Sequence, residues 1–248
     1  MSEMIASEDN NSTAISFWGK SWYNKVMKVN EELSGYIVKN IFPKYERFYS
    51  HGLLHVDNVI NNMMALADYY DLDKNMAYVI ASYHDIGLGI DREKHEYESG
   101  KYLFNDKRLR DFFTDEQMKT MREAVEDHRG SRKERPRNLY GECVSDADRD
   151  FDIKLLAKRQ LATSIKNYPD LINFEEHFER CYTYICKRIN KEGVFNLWTN
   201  YPEFIKRRDE FQSQYLDKAY ARRIYEDEWN RISADGTKEK ILSYYEDY

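Results

Sequence analysis

Apolar residues recur three and four positions apart along almost the whole chain, the spacing that lines one face of an α-helix. Trp22, Val26, Val29, Leu33, Ile37 and Ile41 form one stripe, which Pro43 stops. Val56, Val59, Ile60, Met63, Ala67 and Tyr70 form a second, opening at a pair of histidines. A third begins at Leu72-Asp73 and runs through Met76, Ala77, Ile80 and Tyr83 to His84. A short helix is expected from about Arg92 to Phe104. Thr114, with Gln117 three residues on, is a capping-box signature for a helix through Met118, Met121 and Val125 toward His128. Leu139, Tyr140, Cys143, Val144 and Ala147 predict another, ending at Asp148. Two longer helices follow, about Ile153 to Lys166 and Phe174 to Asn190, with Gly193 as a stop. One long helix is expected from Pro202 to Ile232, and only Val194 to Trp198 reads as a candidate strand.

This pattern, without an internal repeat, predicts an all-α fold. The expected organisation is a disordered lead-in over 1–16, one helical domain with a C-terminal helical extension over 17–235, and a frayed tail over 236–248. With 4 Pro and 10 Gly in 248 residues there is little material for many tight turns. The longest strongly apolar run, Met76 to Tyr83, is far too short to span a bilayer, and the first sixteen residues lack the basic and apolar regions of a secretory signal. A cytoplasmic protein with no membrane partner is therefore expected. The odd cysteine count (Cys143, Cys181, Cys186), without a CxxC spacing, argues against a disulfide framework and against thiolate metal ligation. A net charge of −6 makes nucleic acid an unfavourable partner. One stretch runs against that balance: Arg129, Arg132, Lys133, Arg135 and Arg137 crowd around a single Glu134.

The chemistry concentrates in one segment. Five of six histidines, His51, His55, His84, His95 and His128, fall within 51–128, and His84 is followed directly by Asp85. His51 and His55, four apart, would share a helix face. His84 and Asp85 would splay by about 100° on a regular helix. They can serve one centre only if the helix ends there, as Gly87 and Gly89 provide. His128 and Asp148 also stand at helix ends, so several ends can converge on one cavity. Imidazole with carboxylate suits Mn, Fe, Co or Zn. A buried aspartate is rare unless paired or metal-bound, which favours a functional reading for the doublet. His177, isolated, reads as a core histidine.

The order His55…His84-Asp85…Asp148, with "HGLLH", "YHDIG" and "ADRD" around it, resembles the HD-domain superfamily of metal-dependent phosphohydrolases over about residues 45–155. The resemblance implies that His55, His84, Asp85 and Asp148 bind one metal. It prefers Asp148 to Asp146, as the Asp of the "AD" pair. Some branches carry two further histidines for a second metal bridged by the doublet Asp, and His95 and His128 stand in that order. One or two divalent ions are thus implied. Several such enzymes carry Glu or Lys three residues after the doublet Asp. Leu88 stands there in this chain, so the general acid does not come from that position and its identity stays open; His51 is a candidate, and Asp85 is the other candidate catalytic residue.

The implied activity is hydrolysis of a nucleotide or other small phosphorylated metabolite. Arg129, Arg132, Lys133, Arg149 and Lys101 are the candidate substrate-binding cations. Two alternatives use the same fold: a di-iron oxygenase and a non-catalytic regulatory module. The aromatic-rich helices after Ile153 carry no chemical signature and read as packing, with a homodimer left open.

Overall fold

The computed structural model describes residues 29–48, 51–149, 151–189 and 195–243. Trp22, Val26, Asn190, Gly193, Val194 and the stretches 1–16 and 244–248 lie outside them. The described residues form helices with no strand, an all-α fold. We number the helices α1 (Glu31–Asn40), α2 (Leu53–Tyr69), α3 (Lys74–Tyr83), α4 (His95–Asn105), α5 (Asp115–Glu126), α6 (Leu139–Ala147), α7 (Ile153–Asn167), α8 (Phe174–Lys187), α9 (Pro202–Leu216), α10 (Lys218–Ala234) and α11 (Thr237–Ser243). None is long and apolar enough to cross a membrane.

The helices bury two cores. The first is gathered around α3, where every residue from Met76 to Tyr83 is buried. A helix apolar on all sides has to be enclosed, and α1, α2, α4, α5 and α6 pack around it. The second core lies among α7, α8, α10, α11 and the C-terminal half of α9. Helix α9 joins the two, burying Phe204 in the first and Phe211 and Tyr215 in the second.

Caps set several of these boundaries. The capping box forms: Thr114 Oγ1 accepts from the Gln117 N–H, and Gln117 Oε1 accepts from the Thr114 N–H. The single long helix expected over 202–232 is instead two. Asp217 closes α9, and its side chain accepts from the N–H groups of Ala219 and Tyr220 to open α10. An N-cap aspartate competes with helix continuation by satisfying the orphan donors of a new first turn.

The expected strand is absent from described residues 195–198, which are irregular. The backbone N–H groups of Trp198 and Thr199 donate to the Asp146 carboxylate at 2.9 and 2.8 Å, so no ladder partner is needed. Past Gly236, where fraying was expected, α11 forms and buries Ile241 against the second core.

Candidate metal centre

Four chain turns bring the histidines together. His55 lies in the first turn of α2 and faces inward. His51 does not share that helix, contrary to the spacing argument. Gly52 is the extended N-cap, and a Cβ there would stand 2.5 Å from the Phe48 carbonyl oxygen, so the chain turns before α2 begins. The His51 ring nevertheless lies against His55, with centroids 5.4 Å apart. At the end of α3 His84 keeps helical dihedrals while Asp85 leaves them (φ −110°, ψ 6°), and a 3₁₀ turn follows over Ile86–Gly89. The helix therefore ends between the two residues, and their neighbouring side chains converge.

Gly87 then returns the chain. Its N–H donates to Ser99 Oγ at 2.8 Å, and a Cβ on it would stand 2.2 Å from the His95 carbonyl oxygen. This approach of backbone to backbone places His95, the first residue of α4, beside Asp85. His128 follows the Asp127 cap of α5, and Asp148 caps α6.

The donor atoms form two groups that share one residue. In the first, His55 Nε2 stands 3.1 Å from His84 Nε2, 3.0 Å from Asp148 Oδ1 and 3.6 Å from Asp85 Oδ2. His84 Nε2 is 3.4 Å from Asp85 Oδ2 and 3.8 Å from Asp148 Oδ1. In the second, Asp85 Oδ1 stands 3.5 Å from His95 Nε2 and 3.4 Å from His128 Nε2. A first-row ion with bonds of about 2.0–2.2 Å puts neighbouring donor atoms roughly 3–3.5 Å apart, so the first set can hold one ion and the second is spaced for another. Orientation agrees. His84, His95 and His128 each place Nδ1 on the carbonyl three residues earlier, of Ala81, Arg92 and Val125. If Nδ1–H donates, Nε2 carries the lone pair that a metal needs.

The electrostatics are those of carboxylates and imidazoles forced together. Burial alone raises the Asp85 carboxyl, yet His84, His128 and His55 outweigh it and hold it well below the usual carboxylate range. Asp148 is also depressed, against burial, by His55 and His84. Burial lowers His55, but Asp148 and Asp85 carry it up to about 9. Burial and then Arg159 push His51 well down.

The remaining expected residues divide. Asp146 is fully buried but faces away from the cluster, toward Trp198 and Thr199. His177 is the core residue expected, with Nδ1 on the Ser164 hydroxyl and Nε2 on the Leu171 carbonyl. Arg149, buried behind Asp148, lines a cavity of about 260 Å³ that opens on Asp148 and His51. Arg129 pairs with Glu96, Arg132 with buried Asp127, and Lys133 is exposed. Arg135 and Arg137 are likewise paired, with Glu142 and with Asp127 and Glu126. Lys101 pairs with Glu98 and lines a different surface cavity, beside Tyr36 and Asp106. Two cations that the sequence did not single out line the cavity at the cluster: Arg159 of α7, whose Nη2 donates to His51 Nε2 at 2.6 Å, and Arg188 at the end of α8.

Residues 52–150, the segment carrying all six clustered ligand candidates, match the HD domain family. No match is found among curated proteins. Among solved structures the chain is similar to a predicted HD superfamily hydrolase from an uncultured Thermotogales bacterium, at 18% identity and a TM-score of 0.49, covering 84% of this chain and 98% of that one.

Proposed function

We propose that the protein is a metal-dependent hydrolase of phosphate esters, acting on a nucleotide or another small phosphorylated metabolite. The observation carrying this reading is the divided carboxylate of Asp85, one oxygen toward each histidine set, beside a cavity bordered by arginines. His55, His84, Asp85 and Asp148 would hold one divalent ion, and His95 and His128, with Asp85 common to both sets, would hold a second. Mn, Fe, Co and Zn all suit the mixed nitrogen and oxygen donors. Such ions, when bound, polarise a phosphoryl oxygen and supply an activated water near neutral pH.

The chain's own part is positioning and charge. The Nδ1 contacts to backbone carbonyls fix the imidazole planes. Arg149, Arg159 and Arg188 receive the phosphate oxygens and offset charge that grows on them in the transition state. The paired arginines of the 129–137 loop brace Asp127, Glu96, Glu126 and Glu142 instead, and Lys133 is exposed. His51, neutral and accepting from Arg159, has no proton on Nε2 to give a leaving group; its role is to orient that guanidinium.

The reading is tested by a panel of nucleoside monophosphates and sugar phosphates incubated with protein loaded with Mn, Co, Fe or Zn. Metal-dependent phosphate release is expected. No release with any metal, together with oxygen consumption by the iron-loaded protein, would transfer the same ligands to oxygenase chemistry.

A further inference from the structure

We propose that the helices beyond the HD domain form the substrate-selecting wall of the site, and that the ligand they select is a phosphate monoester bearing a compact apolar or aromatic group. This deepens the phosphohydrolase reading and rests on it. The cavity beside the metal centre draws one side from the HD domain and the other from α7 and α8. On α7, Leu156, Arg159 and Thr163 stand three and four apart and so share one face. On α8, Tyr184 and Arg188 repeat that spacing with Ile185 between them.

Each helix thus delivers a cation and an apolar surface to the same small space. The apolar side, Leu156, Ile185 and Phe195, belongs to the edge of the second hydrophobic core and is buried. The polar side is cationic and held in place. Arg159 donates to His51, and Arg188 Nη1 donates to the Tyr184 hydroxyl at 2.7 Å with its guanidinium 5.2 Å from that ring. Arg149 completes it: the residue is buried, and its Nε makes no hydrogen bond, the nearest carboxylate oxygen (of Asp146) standing 3.5 Å away. Fixed guanidinium groups match phosphate oxygens in forked pairs, and an apolar wall opposite them recognises what the phosphate is attached to. A volume of about 260 Å³ lies just under the range of about 300–1,000 Å³ found for drug-sized ligands. A single ring with its phosphate fits this volume.

The test uses two unhydrolysable probes, phenylphosphonate and methylphosphonate, titrated calorimetrically into the metal-loaded full-length chain. The expected results are at least tenfold tighter binding of the phenyl probe and an at least tenfold loss of its affinity in each of R159Q and R188Q. K119A, at an exposed lysine outside the cavity lining, should leave affinity unchanged, and F195A should remove the preference for phenyl over methyl. Metal content is measured in every variant and should not change. Should one arginine variant misfold, the other carries the same reading. Equal binding of the two probes, or arginine variants that bind like the wild type, would overturn the proposal. Failure of the hydrolase reading would look different: phenylphosphonate would bind as described, but phenyl phosphate would release no phosphate.

Discussion

Asp85 is the residue on which the site turns. Its two carboxylate oxygens face different partners, His55 and His84 on one side and His95 and His128 on the other. Replacing it with alanine should therefore empty both positions, whereas His95→Ala should remove one ion and keep the other. Metal-to-protein ratios by elemental analysis check this, and full occupancy in D85A would contradict the assignment. A second prediction follows from His55, whose pKa is raised to about 9 in the metal-free protein. Below that pH the imidazole is protonated, so an incoming ion has to displace the proton. Apparent affinity should rise with pH, by about tenfold per unit, and level off near 9. A flat profile between pH 6 and 8 would show that His55 is no ligand. At this scale the convergence of these donor groups was legible from the sequence, because a histidine-aspartate doublet after an apolar helix and before two glycines has few structural uses. Arg159 and Arg188 were not. An arginine on the polar face of an amphipathic helix is ordinary, and only tertiary packing turns these two toward the cavity.

Among the elements, the 3₁₀ turn after α3 does the placing. Gly87 lies so close to the start of α4 that any side chain there collides with the His95 carbonyl and with Ser99. Gly87→Ala should push α4 outward and take His95 with it. The expected result is loss of the second ion, with the first, held by His55, His84, Asp85 and Asp148, retained. Calorimetric metal titration resolves the two, and unchanged stoichiometry would sink the idea. Element existence was readable from periodicity, since α2, α3, α5 and α6 each follow an apolar stripe. Boundaries were less so. The break at Asp217 has a local cause, an aspartate cap, but the flanking stripes are continuous across it and favour one helix. The strand reading of Val194 to Trp198 rested on apolar content alone, while the Asp146 carboxylate that claims the Trp198 and Thr199 backbone lies some fifty residues earlier.

The whole molecule is two cores meeting at the site, and Asp146 pins the segment that leads into α9. Its buried carboxylate takes the backbone N–H groups of Trp198 and Thr199, on the segment between α8 and α9, and faces Arg149. Asp146→Ala would leave those groups unsatisfied at a cost of at least about 2 kcal/mol. For a chain of this size that is a fall in Tm of roughly 4–8 °C. Thermal unfolding checks this; metal content should persist, because Asp146 is not among the clustered donors. An unchanged Tm would mean that the clasp contributes nothing. No pattern in the sequence announces this joint, since it is built from one buried carboxylate and a distant backbone.

Whether two ions act together in phosphate-ester hydrolysis is decided by metal-free protein titrated anaerobically with zero, one and two equivalents of manganese. Phosphate release from a small monoester is followed at each step. The expected result is no release without metal and turnover that climbs with the second equivalent, in parallel with its binding. Saturation at a single bound ion would contradict the shared role of Asp85, and the absence of phosphate release at every loading would contradict the hydrolase itself.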